Sequence, residues 1–163
     1  MQTPREIVES FISDMVKVYI KHIDLIHETR RESDTIDKDP LYCNLSYPPQ
    51  EWRDRCRAAL SKHRETLRTY KIAQGVVVES YSITLPQDYF LSASSGCQYI
   101  GDEIIREEIV NENKIKIYTK SNCEGYNYYR LKVFTLQKKD DNWQIVKLRR
   151  IDETTGKEEG MAW

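Results

Sequence analysis

Catalysis in this chain would have to come from carboxylates, tyrosines and histidines brought together by folding, and the sequence offers several of each. Asp14, Asp24, Glu79 and Asp88 are candidate general bases, and Tyr19, Tyr81 and Tyr89 candidate proton donors. A carboxylate paired with a tyrosine can drive proton abstraction beside a carbonyl when burial tunes the two groups. None of these residues stands in a diagnostic frame. The sequence contains no nucleophile elbow, no HExxH, no glycine-rich dinucleotide fingerprint and no kinase set. Ser92-Ala93-Ser94-Ser95-Gly96 lacks the lysine and spacing of a phosphate-cradling loop and reads as a flexible connection. The four cysteines, Cys43, Cys56, Cys97 and Cys123, form no CxxC pair. With His22, His27 and His63 they supply no closely spaced metal ligands, so free thiols, no metal and no cofactor are expected. His63 falls inside an apolar stripe and reads as a packed, hydrogen-bonded histidine.

Residue types suited to recognition are more concentrated. Tyrosine is used 11 times against three phenylalanines. Tyr118, Tyr126, Tyr128 and Tyr129 gather around one turn, where a large ring with a polar tip suits a protein interface. The competing reading is that strands favour tyrosine. Beside them runs an acidic series, Asp102, Glu103, Glu107, Glu108 and Glu112, interrupted by Arg106. It either meets a basic partner or keeps a strand soluble and unpaired. Arg53, Arg57, Arg64 and Arg68 lie within about 60° of one another on a helix, as a site for an acidic partner or a phosphate, or as a solvated flank. The contact residues expected from these patterns are Tyr126, Tyr128, Tyr129, Glu103 and Glu107, with Arg53, Arg57 and Arg64 second.

The elements that must position them follow from periodicity. At 163 residues, 39% hydrophobic and 31% charged, the chain is long enough for its own core and is expected to form a single domain, 1–163. A net charge of −1 and a pI near 6.3 give no global attraction to nucleic acid or anionic membrane. No apolar run has the length of a membrane span and the N-terminus has no signal-like core, so the cytoplasm is the expected location. Thr3-Pro4-Arg5-Glu6 is a capping-box start, and Ile7, Val8, Phe11, Ile12, Met15, Tyr19, Ile23 and Ile26 continue it at helical spacing to about Glu28. Arg30 to Asp39 reads as loop. A second helix is expected from Pro49 to about Tyr70, with Trp52, Cys56, Ala59, Leu60, His63, Leu67 and Tyr70 on its apolar stripe. Gln74 and Gly75 then end the helical half, and 76–151 reads as sheet, beginning with a strand Val76–Leu85. Asp102–Val110 and Lys114–Lys120 follow as strands joined by Asn111-Glu112-Asn113. Tyr128–Leu136 and Trp143–Ile151 form a long hairpin whose apolar alternation changes phase in both arms, which predicts a bulge or strong bend. Residues 152–163 read as a polar tail ending in Met161-Ala162-Trp163. Helices followed by antiparallel strands indicate an α+β fold with helices on one face of a curved sheet.

These features resemble the nuclear transport factor 2-like superfamily, and within it the bacterial immunity proteins found beside polymorphic toxins. The resemblance is carried by TPREIVESFISDM, Leu85-Pro86-Gln87-Asp88-Tyr89, the stretch KIKIYTKSNCEGYNYYRLKVFTLQKKDDNWQIVKL and the terminal Gly160–Trp163. It implies a cone-like fold with helices against a strongly curved, mostly antiparallel sheet. It also implies a protein that binds and blocks a cognate toxin made by the same cell, without catalytic residues; a monomer or homodimer is expected, with no nucleic-acid or membrane partner. The enzymatic branches place an aspartate and a tyrosine in the cleft between helices and sheet. That motif has no counterpart in Arg30–Tyr47, which leaves Tyr19 with Asp14, Asp24 or Asp88 for the alternative, a small-molecule enzyme or ligand carrier of isomerase or dehydratase type.

Overall fold

The computed structural model describes residues 2–83, 101–122 and 130–160. Helices α1 (Pro4–Asp37) and α2 (Gln50–Ser80) precede strands β1 (Asp102–Asn111), β2 (Lys114–Ser121), β3 (Leu131–Lys139), β4 (Asn142–Ile151) and β5 (Glu158–Glu159). The chain divides into two compact units, one made of the residues up to Val18 with those from Ala73 onward, the other of Tyr19–Ile72. Each helix contributes to both.

The helix starts as its capping box dictates. The Thr3 hydroxyl accepts from the Glu6 amide at 3.3 Å, and the Glu6 carboxylate accepts from the Thr3 amide at 2.7 Å. It does not stop at Glu28. The buried stripe passes from Ile26 to Thr29 and on to half-buried Ser33 and Ile36, at the same three- and four-residue spacing but with small polar side chains. Thr29 satisfies its hydroxyl on the Leu25 and Ile26 carbonyls. The segment 30–37, expected as loop, is therefore helix.

The second helix likewise outruns its expected end. Thr66, Tyr70, Gln74 and Val78 are buried at four-residue spacing, so Gly75 lies inside the helix and Val76 to Ser80 belong to it, not to a strand. What ends it is a Schellman motif. Ser82 takes a left-handed φ of 56°, the Ser82 amide bonds the Glu79 carbonyl at 2.9 Å, and the Ile83 amide bonds the Val78 carbonyl at 3.2 Å. Leu60, expected on the apolar stripe, is 39% exposed, whereas Ala59 is buried.

The sheet is an antiparallel meander in the order β1-β2-β3-β4-β5. β3 and β4 are joined by Asp140-Asp141, with φ of 49° and 64°, the two positive angles of a type I′ turn. Thr135 pairs with Lys147 but Leu136 pairs with Ile145, so Val146 is an extra residue, and the phase change in the hairpin is a bulge. Beyond β4 the chain does not run out as a tail. Asp152 accepts the amides of Thr154 and Thr155, which holds its carboxyl below the ordinary range, and the chain returns through Gly156 (φ 68°) to pair β5 with β4.

In the first unit Val8, Phe11, Ile12 and Met15 of α1 form a core with Ile117, Phe134, Leu136, Ile145 and Leu148 of the sheet. Phe11 meets Phe134 at 5.6 Å and Tyr81 at 5.3 Å, both edge-on. Consecutive residues of β3 from Lys132 to Leu136 are buried, so this strand is covered on both faces. The second unit is a helical hairpin. Tyr19 and Tyr70 meet edge-on at 6.4 Å, the Thr29 hydroxyl lies 2.9 Å from His63 Nδ1, and Trp52 Nε1 donates to the Ile36 carbonyl at 3.1 Å. His63 is the packed, hydrogen-bonded residue its position in the stripe predicts, and burial holds its pKa down.

Candidate partner-binding surface

β1 carries the acidic residues singled out from the sequence. Among the described residues it pairs on one side alone, with β2. Its register shifts twice, between Ile104 and Arg106 and between Ile109 and Asn111, which makes Ile105 and Val110 the extra residues of two bulges. Paired residues in neighbouring strands share a face. Glu107 pairs with Ile117, and Ile117 with Phe134, so Glu107 lies on the face that α1 covers. Glu103 pairs with Lys120 and Glu108 with Lys116, on the opposite face. Four residues apart in an unbulged strand, Glu103 and Glu107 would point the same way; the bulge at Ile105 turns them to opposite sides.

Each acid has its own setting. Glu107 accepts from Arg5 at 2.8 Å, and Arg5 also holds Glu9 at 2.9 Å. Glu108 accepts the Tyr118 hydroxyl at 2.8 Å and lies 3.3 Å from Arg106, whose guanidinium carbon sits 3.8 Å above the Tyr118 ring. This arrangement stacks a guanidinium on an aromatic face as a cation–π contact, and burial together with the Glu108 carboxylate pushes the Tyr118 pKa up. Asp102 is not on the surface. Its carboxylate takes Lys132 Nζ at 2.6 Å and the Thr119 hydroxyl at 3.2 Å, with side chains 1% (Asp102) and 2% (Lys132) exposed. Between the acids stand apolar residues that sequence reasoning did not single out: Ile105 is 51% exposed, Ile109 77% and Val110 44%. Their signal was the doublets Ile104-Ile105 and Ile109-Val110, which break the alternation of a regular strand.

Tyr126, Tyr128 and Tyr129 lie outside the described residues, as do Asp88 and Tyr89. Arg53, Arg57 and Arg64 are exposed on α2, in the other unit, where Arg57 meets Asp54 at 3.5 Å and neighbouring Arg68 meets Glu65 at 3.6 Å. Two of the four arginines thus carry local ion pairs on an exposed helix flank.

Of the candidate acids and bases, Asp24 and Glu79 are exposed and Tyr19 is buried at the Tyr70 ring. Among the described candidates, the Tyr81 hydroxyl donates to Asp14 at 2.8 Å. Lys17 at 2.9 Å lowers the Asp14 pKa, while burial and the Asp14 bond push Tyr81 up to about 12. A weaker base and a weaker acid are the reverse of the matching that proton transfer needs near neutrality. Among the described residues no three His, Cys, Asp or Glu side chains gather as metal ligands, and no helix is long and apolar enough to cross a membrane.

Residues 86–159 match the family model described as NTF2 fold immunity protein, a segment that contains the five strands of the described residues. The fold is α+β and NTF2-like, with helices on a curled antiparallel sheet. Across that segment the chain is similar to the superfamily's immunity-protein branch, as the hairpin FTLQKKDDNWQIVKL implied. The match over this segment implies an immunity-protein role. No curated protein and no solved structure matches the chain.

Proposed function

We propose that this chain is a cytosolic immunity-type protein that binds one cognate toxin and neutralises it by covering the toxin's working surface. The observation that carries this reading is the family match over the whole sheet. Support comes from β1, where carboxylates and exposed branched apolar side chains stand together on a sheet edge. Such a mixture of apolar anchors with a charged surround suits a specific protein interface. Contacts are assigned to Glu103 and Glu107, to Tyr126, Tyr128 and Tyr129, and secondarily to Arg53, Arg57 and Arg64. Coexpression with the product of the adjacent gene tests the proposal: a stable complex and rescue from growth arrest are expected. A neighbour that is harmless alone, or stays toxic in the presence of this chain, overturns it. Replacing Tyr126 and Tyr128 together by Ala is expected to weaken the complex by about 2 kcal/mol or more, read by calorimetry. Unchanged affinity in a folded variant assigns the contact to another surface.

A further inference from the structure

We infer that the outer edge of β1 seats an extended segment of the toxin in which basic and branched apolar residues alternate, added to the sheet as a further strand. The inference rests on the immunity reading and specifies its binding mode and partner chemistry. The stretch between the two bulges, Arg106 to Ile109, is regular strand with no further strand on its outer side among the described residues. Ile109 within it is 77% exposed, and Ile105 and Val110 at its flanks are 51% and 44% exposed. A strand edge exposes backbone donors and acceptors that another extended chain can satisfy, while side chains above and below it select which chain.

The selecting chemistry is visible on the side of β1 that is already paired. Its partner β2 reads Lys114-Ile115-Lys116-Ile117-Tyr118-Thr119-Lys120, and places Lys116 opposite Glu108, Ile115 opposite Ile109 and Lys120 opposite Glu103. The side chains of β1 stand above and below the strand and are reachable from both of its edges. A strand of the character of β2 is therefore complementary to the outer edge as well. A second copy of the chain is not. Antiparallel self-pairing centred on Arg106–Ile109 sets Glu107 against Glu108, and like charges directly opposite are unfavourable. The bulges confine pairing to a short stretch, which keeps the edge from templating long sheets.

The test uses the full chain and the purified product of the adjacent gene. Ile105→Lys with Ile109→Lys places positive charge on the edge through two exposed side chains, and its affinity is measured by calorimetry beside wild type. Amide hydrogen exchange of wild type, free and in complex, reports the backbone independently of any variant. Weakening by about 30-fold or more, with slowed exchange within Arg106–Ile109 in the complex, is the expected result. Wild type that binds and protects the cell, with an equally tight variant or unprotected β1 amides, overturns the edge inference and leaves the immunity reading standing. A wild type that neither binds nor protects removes both. A free chain that dimerises, and becomes monomeric on the double substitution, assigns the edge to a second copy and overturns the inference.

Discussion

Lys132 and Asp102 show how a single pair of residues commits the sheet. Both side chains are buried, in contact at 2.6 Å, with Thr119 giving the carboxylate a further donor. Burial lowers the Lys132 pKa even with Asp102 beside it. Removing one member strands the other charge in the interior. Lys132→Met or Asp102→Asn is therefore expected to cost about 3–5 kcal/mol in urea unfolding. The double replacement Lys132→Met with Asp102→Leu is expected to cost clearly less than the sum of the single changes, and additivity would disprove the coupling.

Tyr81 carries a pH signature. Its folded pKa is raised from 10.0 to about 12, so the fold favours the neutral phenol. The stability this contributes is complete below pH 10 and is lost as pH rises from 10 towards about 12. Tyr81→Phe should lower stability by about 1 kcal/mol at neutral pH and remove that alkaline loss, as unfolding midpoints across the pH range will show. At this scale His63 was legible, because four-residue spacing put it in a buried stripe. The Tyr81–Asp14 bond was not, since it joins positions 67 residues apart.

At the scale of elements, composition marked the starts of helices and hid their ends. The first helix begins where Thr3 and Glu6 can satisfy each other's amides, a decision taken within four residues. Its continuation through Arg30–Asp37 depends on Thr29 and Ser33 being small enough to pack, which hydrophobic periodicity does not register. In the second helix Gly75 looks like a stop, yet the helix runs to Ser80 and is closed where the amides of Ser82 and Ile83 reach back to its last turn. A Cβ added at Gly75 meets nothing within 4 Å. Gly75→Ala is therefore expected to raise stability by about 0.5–1 kcal/mol, through the backbone entropy that glycine loses in a helix interior. No gain in thermal or urea unfolding would show that residue 75 is not helical. The hairpin of β3 and β4 was legible in more detail. Asp140-Asp141 tolerates two positive φ angles, and the shift in alternation announces the bulge at Val146.

For the whole molecule, local pattern was enough to establish an α+β chain of amphipathic helices followed by an antiparallel meander, and to imply the superfamily through its last hairpin. Each of those features is written within one turn of helix or one pair of adjacent strands. Tertiary structure decided the setting of each acid. Asp102, Glu103, Glu107 and Glu108 are nearly equivalent as letters. Register and the bulge at Ile105 bury Asp102 on Lys132, tie Glu107 to Arg5, give Glu108 to Tyr118 and turn Glu103 to the other face. Alternation alone cannot foresee this, because one inserted residue inverts the facing of everything beyond it. The partners that then capture each carboxylate come from strands and a helix distant in sequence.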